Sequence, residues 1–355
     1  MRSKPAILEL NFEKSWRGGE RQTLYNILGF RDAGIDVQLL CRKSTPLHQA
    51  ALEEGIPTHA FQNVFGVIGF LIFKAHRFSI LHAQTSHILT YCVFTKLFHR
   101  AKIVFTRRVD FVPKGRLTRL KYRLADHLVG ISQAVKAIVQ KFSGCPVTVI
   151  SDAAVFRKLS PARAQIWLAE AGIEPGTKII GTTAAFVPHK DPLTMLEAIR
   201  ELRERRTDFV FLHFGDGPLL PVVREKIAQY GLEKHYRLMG FQKDVEDVFS
   251  VLGVFAMSSD EEGLGSSVLD AFLYKVPVAA TDAGGLVDLL QEGRGLICPK
   301  KDGKCLANAI NNLLNSPELR RQITDQAAAY VAEHHSVAAI TAQYLALLNL
   351  SFKSV

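Results

Sequence analysis

Two acidic residues eight positions apart, Glu262 and Asp270, flank a Gly-x-Gly turn in the second half of the chain. An apolar run, Val251 to Met257, predicts a buried strand before this turn, and a helix is predicted to begin just after it. Glycine lets the backbone approach a ligand closely, and the free N–H groups and dipole of a helix N-terminus attract anions. The pattern therefore predicts a sugar-nucleotide site, with the turn holding the diphosphate and the two carboxylates accepting hydrogen bonds from hydroxyl groups. The predicted diphosphate cradle consists of Gly263, Leu264, Gly265, Ser266 and Ser267.

This segment resembles the Glu-x7-Glu motif of retaining glycosyltransferase family 4, which has the GT-B fold. The family pattern reads Ser-x-x-Glu-Gly-x-Gly, then Glu-Ala, then Pro-Val-x-x-Thr and Gly-Gly. The chain follows it from Ser259 through Pro277 to Gly285, except that Asp270 replaces the second glutamate and is shorter by one methylene. The resemblance implies sugar transfer with retained anomeric configuration, in which Glu262 holds the sugar and Asp270 the ribose.

A second segment, Phe186 to Thr194, resembles the phosphate-binding strand-to-helix loop of the same family. The resemblance implies that Lys190 places its ammonium on the donor diphosphate, so that this charge and the helix N-terminus replace a metal ion. The family has Gly-Arg two residues before the valine of this loop; here those positions are Ala184-Ala185, so one cation is absent. Gly215, in a later turn, is assigned to the donor site as well. No Asp-x-Asp spacing suits a divalent ion, so neither a metal nor a cofactor is expected.

Each of these residues also has a simpler structural explanation. Lys190 would be a surface lysine before a helix, Glu262 a helix cap, and Asp270 a polar residue on an exposed helix face. The joint presence of the loop, the turn and the Gly284-Gly285 tail favours the donor site over these explanations.

Candidate acceptor residues follow three predicted strands in the first half. Gly18 and Gly19 follow the first strand, and their resemblance to a family loop implies contact with the donor. The segment from Ile80 to His87 ends a predicted strand, where open α/β sheets bind ligands, and it resembles the His-x-His segment of the family with Gln84 at the second position. His82 or Gln84 is therefore predicted near the reacting centre or the acceptor, and His82 is assigned as a catalytic residue. The alternative for His82 is a satisfied core histidine. The predicted acceptor-binding residues are Gln84, Thr85, His87, Arg107 and Arg108, whose two arginines suit an anionic acceptor.

Basic and apolar residues are interleaved between Lys96 and Arg123, with ten Lys and Arg against one Asp. Upstream, Phe65 to Phe73 is strongly apolar and is followed by Lys74 and Arg77. This combination suits an anionic membrane surface. Nucleic acid is the competing interpretation, but no helix-turn-helix, zinc-finger or RNP pattern supports it, and no nucleic-acid partner is expected. The apolar run could also be a core helix.

Composition is that of a globular protein: 355 residues, 48% hydrophobic and 22% charged, with a formal net charge of +10. The charge is uneven, since residues 1–165 hold 25 Lys and Arg against 10 Asp and Glu, and the remainder 19 against 24. Five cysteines, an odd number without a Cys-x-x-Cys pair, argue against a disulfide framework or zinc site and for a reducing compartment. No secretory segment and no apolar run of 18 residues is found, which predicts a cytoplasmic protein, peripheral on the inner face of the cytoplasmic membrane.

Short apolar runs alternate with amphipathic stretches along the whole sequence, which predicts parallel α/β sheets covered by helices. The pattern is interrupted near residues 150–176 and then restarts. We therefore predict two Rossmann-like doubly wound domains facing across a cleft, over 1–165 and 166–335. The family resemblance implies that a C-terminal helix in 336–355 crosses back to the first domain.

These observations together predict a glycosyltransferase that moves a hexose-like sugar from a nucleotide diphosphate to a lipid-linked or surface-polysaccharide acceptor of lipopolysaccharide type. Two alternatives remain open: a sugar-nucleotide epimerase on the same fold, and a catalytically degenerate binding subunit, which the missing arginine and Asp270 would suit. The sugar, the base and the oligomeric state are not predicted.

Overall fold

The chain divides into two compact units, each built on its own parallel sheet. Residues 5–242 and 244–350 are described by the structure, a computed structural model. Unit 1 comprises Met1–Ala153 with His334–Val355, and unit 2 comprises Ala154–Glu333. The predicted boundary after residue 165 falls inside a helix of unit 2, Pro161–Glu170, and the one after residue 335 falls in the returning segment.

Unit 1 contains a seven-stranded sheet in the order β3-β2-β1-β4-β5-β6-β7, and every neighbouring pair is parallel. Its strands are β1 Ala6–Asn11, β2 Asp36–Arg42, β3 Thr58–Phe61, β4 Ile80–Ala83, β5 Lys102–Arg107, β6 His127–Gly130 and β7 Thr148–Val149. Its first helices are α1 Gly18–Asp32, α2 Pro46–Glu53, α3 Val64–Lys74, α4 Ser86–Phe94, α5 Arg116–Arg123 and α6 Gln133–Ser143. All six residues of β1 are buried, as expected of a strand covered on both faces.

Unit 2 contains a six-stranded parallel sheet in the order β10-β9-β8-β11-β12-β13. Its strands are β8 Lys178–Thr183, β9 Phe209–Phe214, β10 Tyr236–Gly240, β11 Val254–Met257, β12 Val278–Thr281 and β13 Leu296–Cys298. Its helices are α7 Pro161–Glu170, α8 Pro192–Arg203, α9 Leu220–Gln229, α10 Ser266–Leu273, α11 Leu286–Leu290, α12 Gly303–Asn315 and α13 Pro317–His334. The predicted pair of Rossmann-like doubly wound sheets is confirmed.

Strand order reverses in each sheet between two neighbours, β1 and β4 in unit 1 and β8 and β11 in unit 2. Parallel strands end at the same edge, and the loops after the two strands at a reversal diverge to opposite faces, leaving a crevice. Apart from Gly215, which follows β9, the residues predicted to do chemistry lie at or after the ends of these four strands and β5, so each sheet places them at its own ligand-binding edge.

The C-terminal helix α14, Val337–Leu347, packs on α1 and joins the core of unit 1. Tyr344 is 1% exposed, and its ring meets Phe30 edge-on at a centroid distance of 6.0 Å. Removing this helix would therefore open the core of unit 1 to water.

One cysteine pair corrects the sequence analysis, which argued against disulfides. Cys298 at the end of β13 is bonded to Cys305 in the first turn of α12, with Cα atoms 5.7 Å apart. Cys41, Cys92 and Cys145 are free. The odd number of cysteines and the absence of a Cys-x-x-Cys pair gave no indication of this disulfide, because the strand–loop–helix geometry brings the two sulfurs together.

Candidate active site

Lys190 and Glu262 are in contact in unit 2, although 72 residues separate them in the sequence. Lys190 ends a 3-10 turn after β8, and Glu262 lies in the loop after β11, the two strands at which the sheet order reverses. Their side chains are 19% and 13% exposed, so both remain accessible at the edge of the sheet. An ammonium and a carboxylate are thus brought together where an α/β sheet binds ligands.

The two loops that carry this pair are fastened to each other through the backbone. The backbone N–H groups of Asp260 and Glu261 donate to the His189 carbonyl oxygen at 2.9 and 3.1 Å. The Ser258 hydroxyl donates to the Asp191 carbonyl oxygen at 2.8 Å. These bonds fix the distance between Lys190 and Glu262 independently of the side-chain contact.

The glycine-rich turn is shaped by close approaches. Gly265 has φ +99°, and a Cβ atom there would lie 2.5 Å from Leu286. A Cβ atom on Gly285 would collide with the Gly263 carbonyl oxygen, while the Gly285 N–H donates to the Glu262 carbonyl oxygen at 2.8 Å. Close packing therefore excludes side chains at Gly265 and Gly285, and the N-terminus of α10, which begins at Ser266, follows this turn directly. Ser267 follows in the first turn of α10, so the predicted cradle is continuous.

Asp270 lies in the second turn of α10 and is 8% exposed. The structural alternative, a polar residue on an exposed helix face, does not describe this position. A buried carboxylate eight residues from Glu262 is compatible with the predicted ribose contact, which stays a prediction.

We expect Asp270→Asn to weaken donor binding by about 1 kcal/mol, roughly fivefold in Kd, because a charged hydrogen-bond acceptor becomes neutral. Asp270→Glu should be tolerated if a water bridges to the ribose and harmful if α10 sits close to it. Calorimetric titration with the donor measures the change in Kd. The control is Asp325→Asn, at an exposed position of α13. Unchanged affinity in Asp270→Asn would remove the ribose assignment.

A buried histidine that the sequence analysis missed supports the loop after β8. His213 on β9 is 2% exposed, stacks on Phe186 at 3.8 Å between ring centroids, and lies 3.0 Å from the Ala184 carbonyl oxygen. Burial lowers the pKa of His213 to about 3, so it is neutral. The turn at Gly215 lies against Ala184 so closely that a Cβ atom would collide. Gly215 therefore supports the loop that carries Lys190, and its predicted donor contact is untested.

In unit 1, a cavity of about 400 Å³ lies where β1, β4 and β5 end. Its wall includes all five predicted acceptor-binding residues, Gln84, Thr85, His87, Arg107 and Arg108. Gly19 lies on the wall as well, next to Arg108, whereas Gly18 begins α1. The sheet thus brings these candidates into one site, while donor contact by Gly18 and Gly19 remains a prediction.

His82 lies behind this cavity and not on its wall. It is 2% exposed, with Nδ1 2.6 Å from a Glu9 carboxylate oxygen and Nε2 2.8 Å from the Thr106 hydroxyl. Thr106 in turn bonds the Tyr344 hydroxyl at 2.9 Å. Both ring nitrogens are occupied, so this geometry suits a residue that positions β5 and α14; the predicted catalytic role is untested.

The two predicted arginines differ in their partners. Arg108 contacts the buried carboxylate of Asp152 and donates to the Gln84 side-chain oxygen at 3.0 Å. Arg107 is 4% exposed and donates to the Tyr122 hydroxyl at 2.8 Å and to the Phe111 carbonyl oxygen. Arg108 is thereby neutralised and held in place, whereas the partners of Arg107 are uncharged.

Neither of the described ranges, 5–242 and 244–350, contains a group of three or more His, Cys, Asp and Glu side chains arranged to hold a metal ion. None of the helices assigned in those ranges has the length and apolarity needed to cross a bilayer.

Comparison with known proteins identifies the family. The family model "Glycosyltransferase Family 4" matches residues 16–153, and the model "Glycosyl transferases group 1" matches residues 164–330. The two matches fall on unit 1 and unit 2 respectively. The chain therefore belongs to the glycosyltransferases that these models describe, and its fold is GT-B.

Relatives with curated names match only part of the chain. It is 30% identical over 147 residues to alpha-D-kanosaminyltransferase of Streptomyces kanamyceticus, covering 41% of this chain and 38% of that protein. It is 27% identical over 172 residues to the lipopolysaccharide core biosynthesis glycosyltransferase LpsE of Rhizobium meliloti, covering 48% and 49%. The matches span about half or less of the length of such relatives.

A solved structure shows the same fold over nearly the whole chain. Anabaena HepE in complex with UDP-glucose superposes with a TM-score of 0.84 at 20% identity, covering 97% of this chain and 99% of that one. At this identity the likeness establishes the fold, which agrees with the strand order in both units.

Proposed function

We propose that this protein transfers a sugar, with retention of anomeric configuration, from a nucleotide diphosphate to a hydroxyl of a lipid-linked or polysaccharide acceptor. The observation that carries the proposal is the contact between Lys190 and Glu262 beside a bare backbone turn and a helix N-terminus. HepE is solved with UDP-glucose, which favours a UDP-sugar donor. LpsE is named for lipopolysaccharide core biosynthesis, which favours a polysaccharide acceptor.

Charge development explains the roles in this proposal. As the bond to the sugar breaks, negative charge grows on the leaving diphosphate. In this proposal Lys190 and the backbone N–H groups at the start of α10 stabilise that charge, in place of a metal ion. Glu262 would then exchange its contact with Lys190 for hydroxyl groups of the sugar. Front-face attack assisted by the leaving phosphate requires no protein nucleophile, and positioning supplies much of the rate.

A donor screen followed by turnover tests the proposal. One sugar nucleotide among UDP-, GDP-, ADP- and dTDP-sugars should raise the unfolding temperature, because a ligand that binds only the folded state stabilises it. With an acceptor, that donor should be consumed with the product anomer retained, and EDTA should not stop turnover. Inverted product, or reversible loss of activity on chelation, would contradict the mechanism. Donor conversion without acceptor would indicate an epimerase, and binding without turnover a degenerate subunit.

We further propose that unit 1 lies against an anionic membrane, on the cytoplasmic face. One surface of unit 1, here called the apolar–basic face, combines exposed large apolar side chains with lysines and arginines. It is built by α3, α4, the 3-10 segment Lys96–Phe98 and α5, which pack on one another in turn. Its exposed apolar side chains include Phe65 (84%), Phe73 (71%), Phe94 (69%), Leu97 (95%), Leu117 (82%) and Leu120 (51%).

The positive charge of the apolar–basic face favours an anionic lipid surface over an uncharged partner. The segment from Lys96 to Arg123 has ten Lys and Arg against one Asp. Helix α3 buries Val67 and Leu71 and exposes Phe65 and Phe73, so the apolar run is only partly core. Apolar side chains inserted between headgroups, with cations beside anionic lipids, are the usual means of interfacial binding.

We expect liposome binding to require anionic lipid and to weaken with salt. Changing Lys114, Arg116 and Arg119 together to Gln should weaken it by about 3 kcal/mol, roughly 100-fold, at about 1 kcal/mol per charge. The charge-matched control is a triple change to Gln at three exposed residues of unit 2, Arg203, Arg224 and Lys234. Cosedimentation with liposomes measures this binding. Equal binding to anionic and neutral liposomes, or no binding to either, would contradict the proposal and favour a soluble acceptor.

A further inference from the structure

A buried arginine, Arg107, lies on the wall of the unit 1 cavity. Arg107 is 4% exposed, and among the described residues its Nε has no hydrogen-bond partner, while its other donors reach the Tyr122 hydroxyl and the Phe111 carbonyl oxygen. In the part of the chain that the structure describes, no carboxylate pairs with Arg107. Burying a charge without a counter-charge is costly, so an isolated buried cation points to a missing anion.

A second cation lies beside it. The Lys121 ammonium donates to the carbonyl oxygen and the hydroxyl of Ser86, both at 2.8 Å, and to the Thr90 hydroxyl at 3.1 Å. Burial, and then the nearby charge of Arg107, lower the pKa of Lys121. Among the described residues Lys121 forms no ion pair either. Two neighbouring cations with only neutral partners repel each other, and a bound anion would relieve both costs.

The start of α4 and the positions of the two acids on the wall are consistent with an anion near Arg107. Helix α4 begins at Ser86, so its positive end faces the cavity, and the exposed His87 lies in its first turn. The two acids of the wall, Glu13 and Glu20, lie after β1. Glu20 is occupied there by the Asn11 amide and the Arg17 N–H, and burial raises its pKa.

We propose that this cavity binds a phosphate group carried by the acceptor, held by Arg107 and the N-terminus of α4, with the positive charge of Lys121 behind Ser86 adding to the attraction. The proposal rests on the function proposed above, in which unit 1 holds the acceptor. Phosphate suits the site better than a carboxylate because it carries up to two charges, which balance both cations, and enough oxygens for the guanidinium and the helix N–H groups. The phosphate could belong to a phosphorylated saccharide or to a lipid diphosphate linker; both present the same group.

Titration of the full chain with inorganic phosphate tests the site without any donor or turnover. Lys190→Gln serves as the background, because it removes the principal phosphate-binding cation predicted in unit 2. We expect saturable binding that is at least tenfold weaker after Lys121→Gln and unchanged after Lys141→Gln, an exposed lysine of α6. Arg107→Gln should have the same effect as Lys121→Gln. If Arg107→Gln does not fold, the result for Lys121→Gln still decides, because Lys121 is only half-buried and its substitution should leave the fold intact. No phosphate binding in this background, equal binding in Lys121→Gln, or acetate binding as tightly would overturn the proposal.

Transfer assays then distinguish the two sources. A phosphorylated saccharide acceptor should show at least a tenfold lower KM than the same saccharide after phosphatase treatment, and Lys121→Gln should abolish the difference. The same comparison is made with a diphosphate lipid-linked acceptor in neutral vesicles and its phosphate-free analogue. The acceptor that shows the Lys121-dependent difference identifies the source, and equal KM values in both comparisons would overturn the proposal. A protein that binds phosphate but transfers no sugar would contradict the proposed function and leave this site standing.

Discussion

We expect the substitution Glu262→Ala to lower the rate of sugar transfer by about 100-fold or more while the fold and nucleotide binding survive. Each hydrogen bond between a carboxylate and a sugar hydroxyl is worth roughly 1.5–3 kcal/mol, and 1.4 kcal/mol corresponds to a factor of ten. If Glu262 orients the sugar, the Ala variant loses this hydrogen-bond energy in the transition state. Initial rates at saturating donor, with the donor Kd from calorimetry, measure the effect.

Glu261→Ala is the matched control, because Glu261 is the preceding acid and is exposed, whereas Glu262 faces Lys190. The Lys190–Glu262 pair is partly exposed, and such ion pairs contribute about 0–1 kcal/mol to folding. The unfolding temperature of Glu262→Ala should therefore fall by only a few degrees. Near-wild-type turnover in Glu262→Ala, or equal losses in Glu261→Ala, would show that Glu262 does not hold the sugar.

Much of unit 2 could be predicted from sequence because its signals are local. The strand before the turn, the glycines and the start of α10 lie within twenty residues of Glu262, where hydrophobic pattern and backbone chemistry act directly. The approach of Lys190 to Glu262 followed from topology, since both succeed strands at the reversal of sheet order. His213, which supports the loop after β8, was missed because a histidine inside an apolar strand gives no signal of its neighbours.

Unit 1 was less predictable because its site depends on distant partners. The acceptor-binding residues predicted at the ends of β4 and β5 lie on the wall of one cavity, and their role stays a prediction; the sequence could not distinguish His82, behind the wall, from Gln84, on it. That difference arises from the bonds of His82 to Glu9 and Thr106, and through Thr106 to Tyr344, 238 residues away. Lys121 was missed for the same reason: on a basic amphipathic helix, no pattern marks the one lysine that reaches Ser86.

Lys190→Gln should lower kcat by about 100-fold and weaken donor binding only modestly. The leaving diphosphate gains negative charge in the transition state, so a cation placed on it stabilises that state more than the bound substrate. Because the family arginine is absent at Ala184-Ala185, we expect Lys190 to carry more of this stabilisation than it would beside a second cation. Lys190→Arg keeps the charge with a longer, planar group and should recover part of the rate. Lys300→Gln, an exposed lysine after β13, is the control.

The double variant Lys190→Gln with Glu262→Ala separates a shared site from two independent effects. If both residues act on one bound donor, the free-energy losses of the two single variants should not add. The relative rate of the double variant should then be well above the product of the two single-variant relative rates. Simple additivity would mean that the contact seen between them has no part in the reaction. If Lys190→Gln leaves kcat unchanged but raises the donor Kd, Lys190 binds the ground state only, and the charge on the leaving group must be stabilised by the N-terminus of α10 alone.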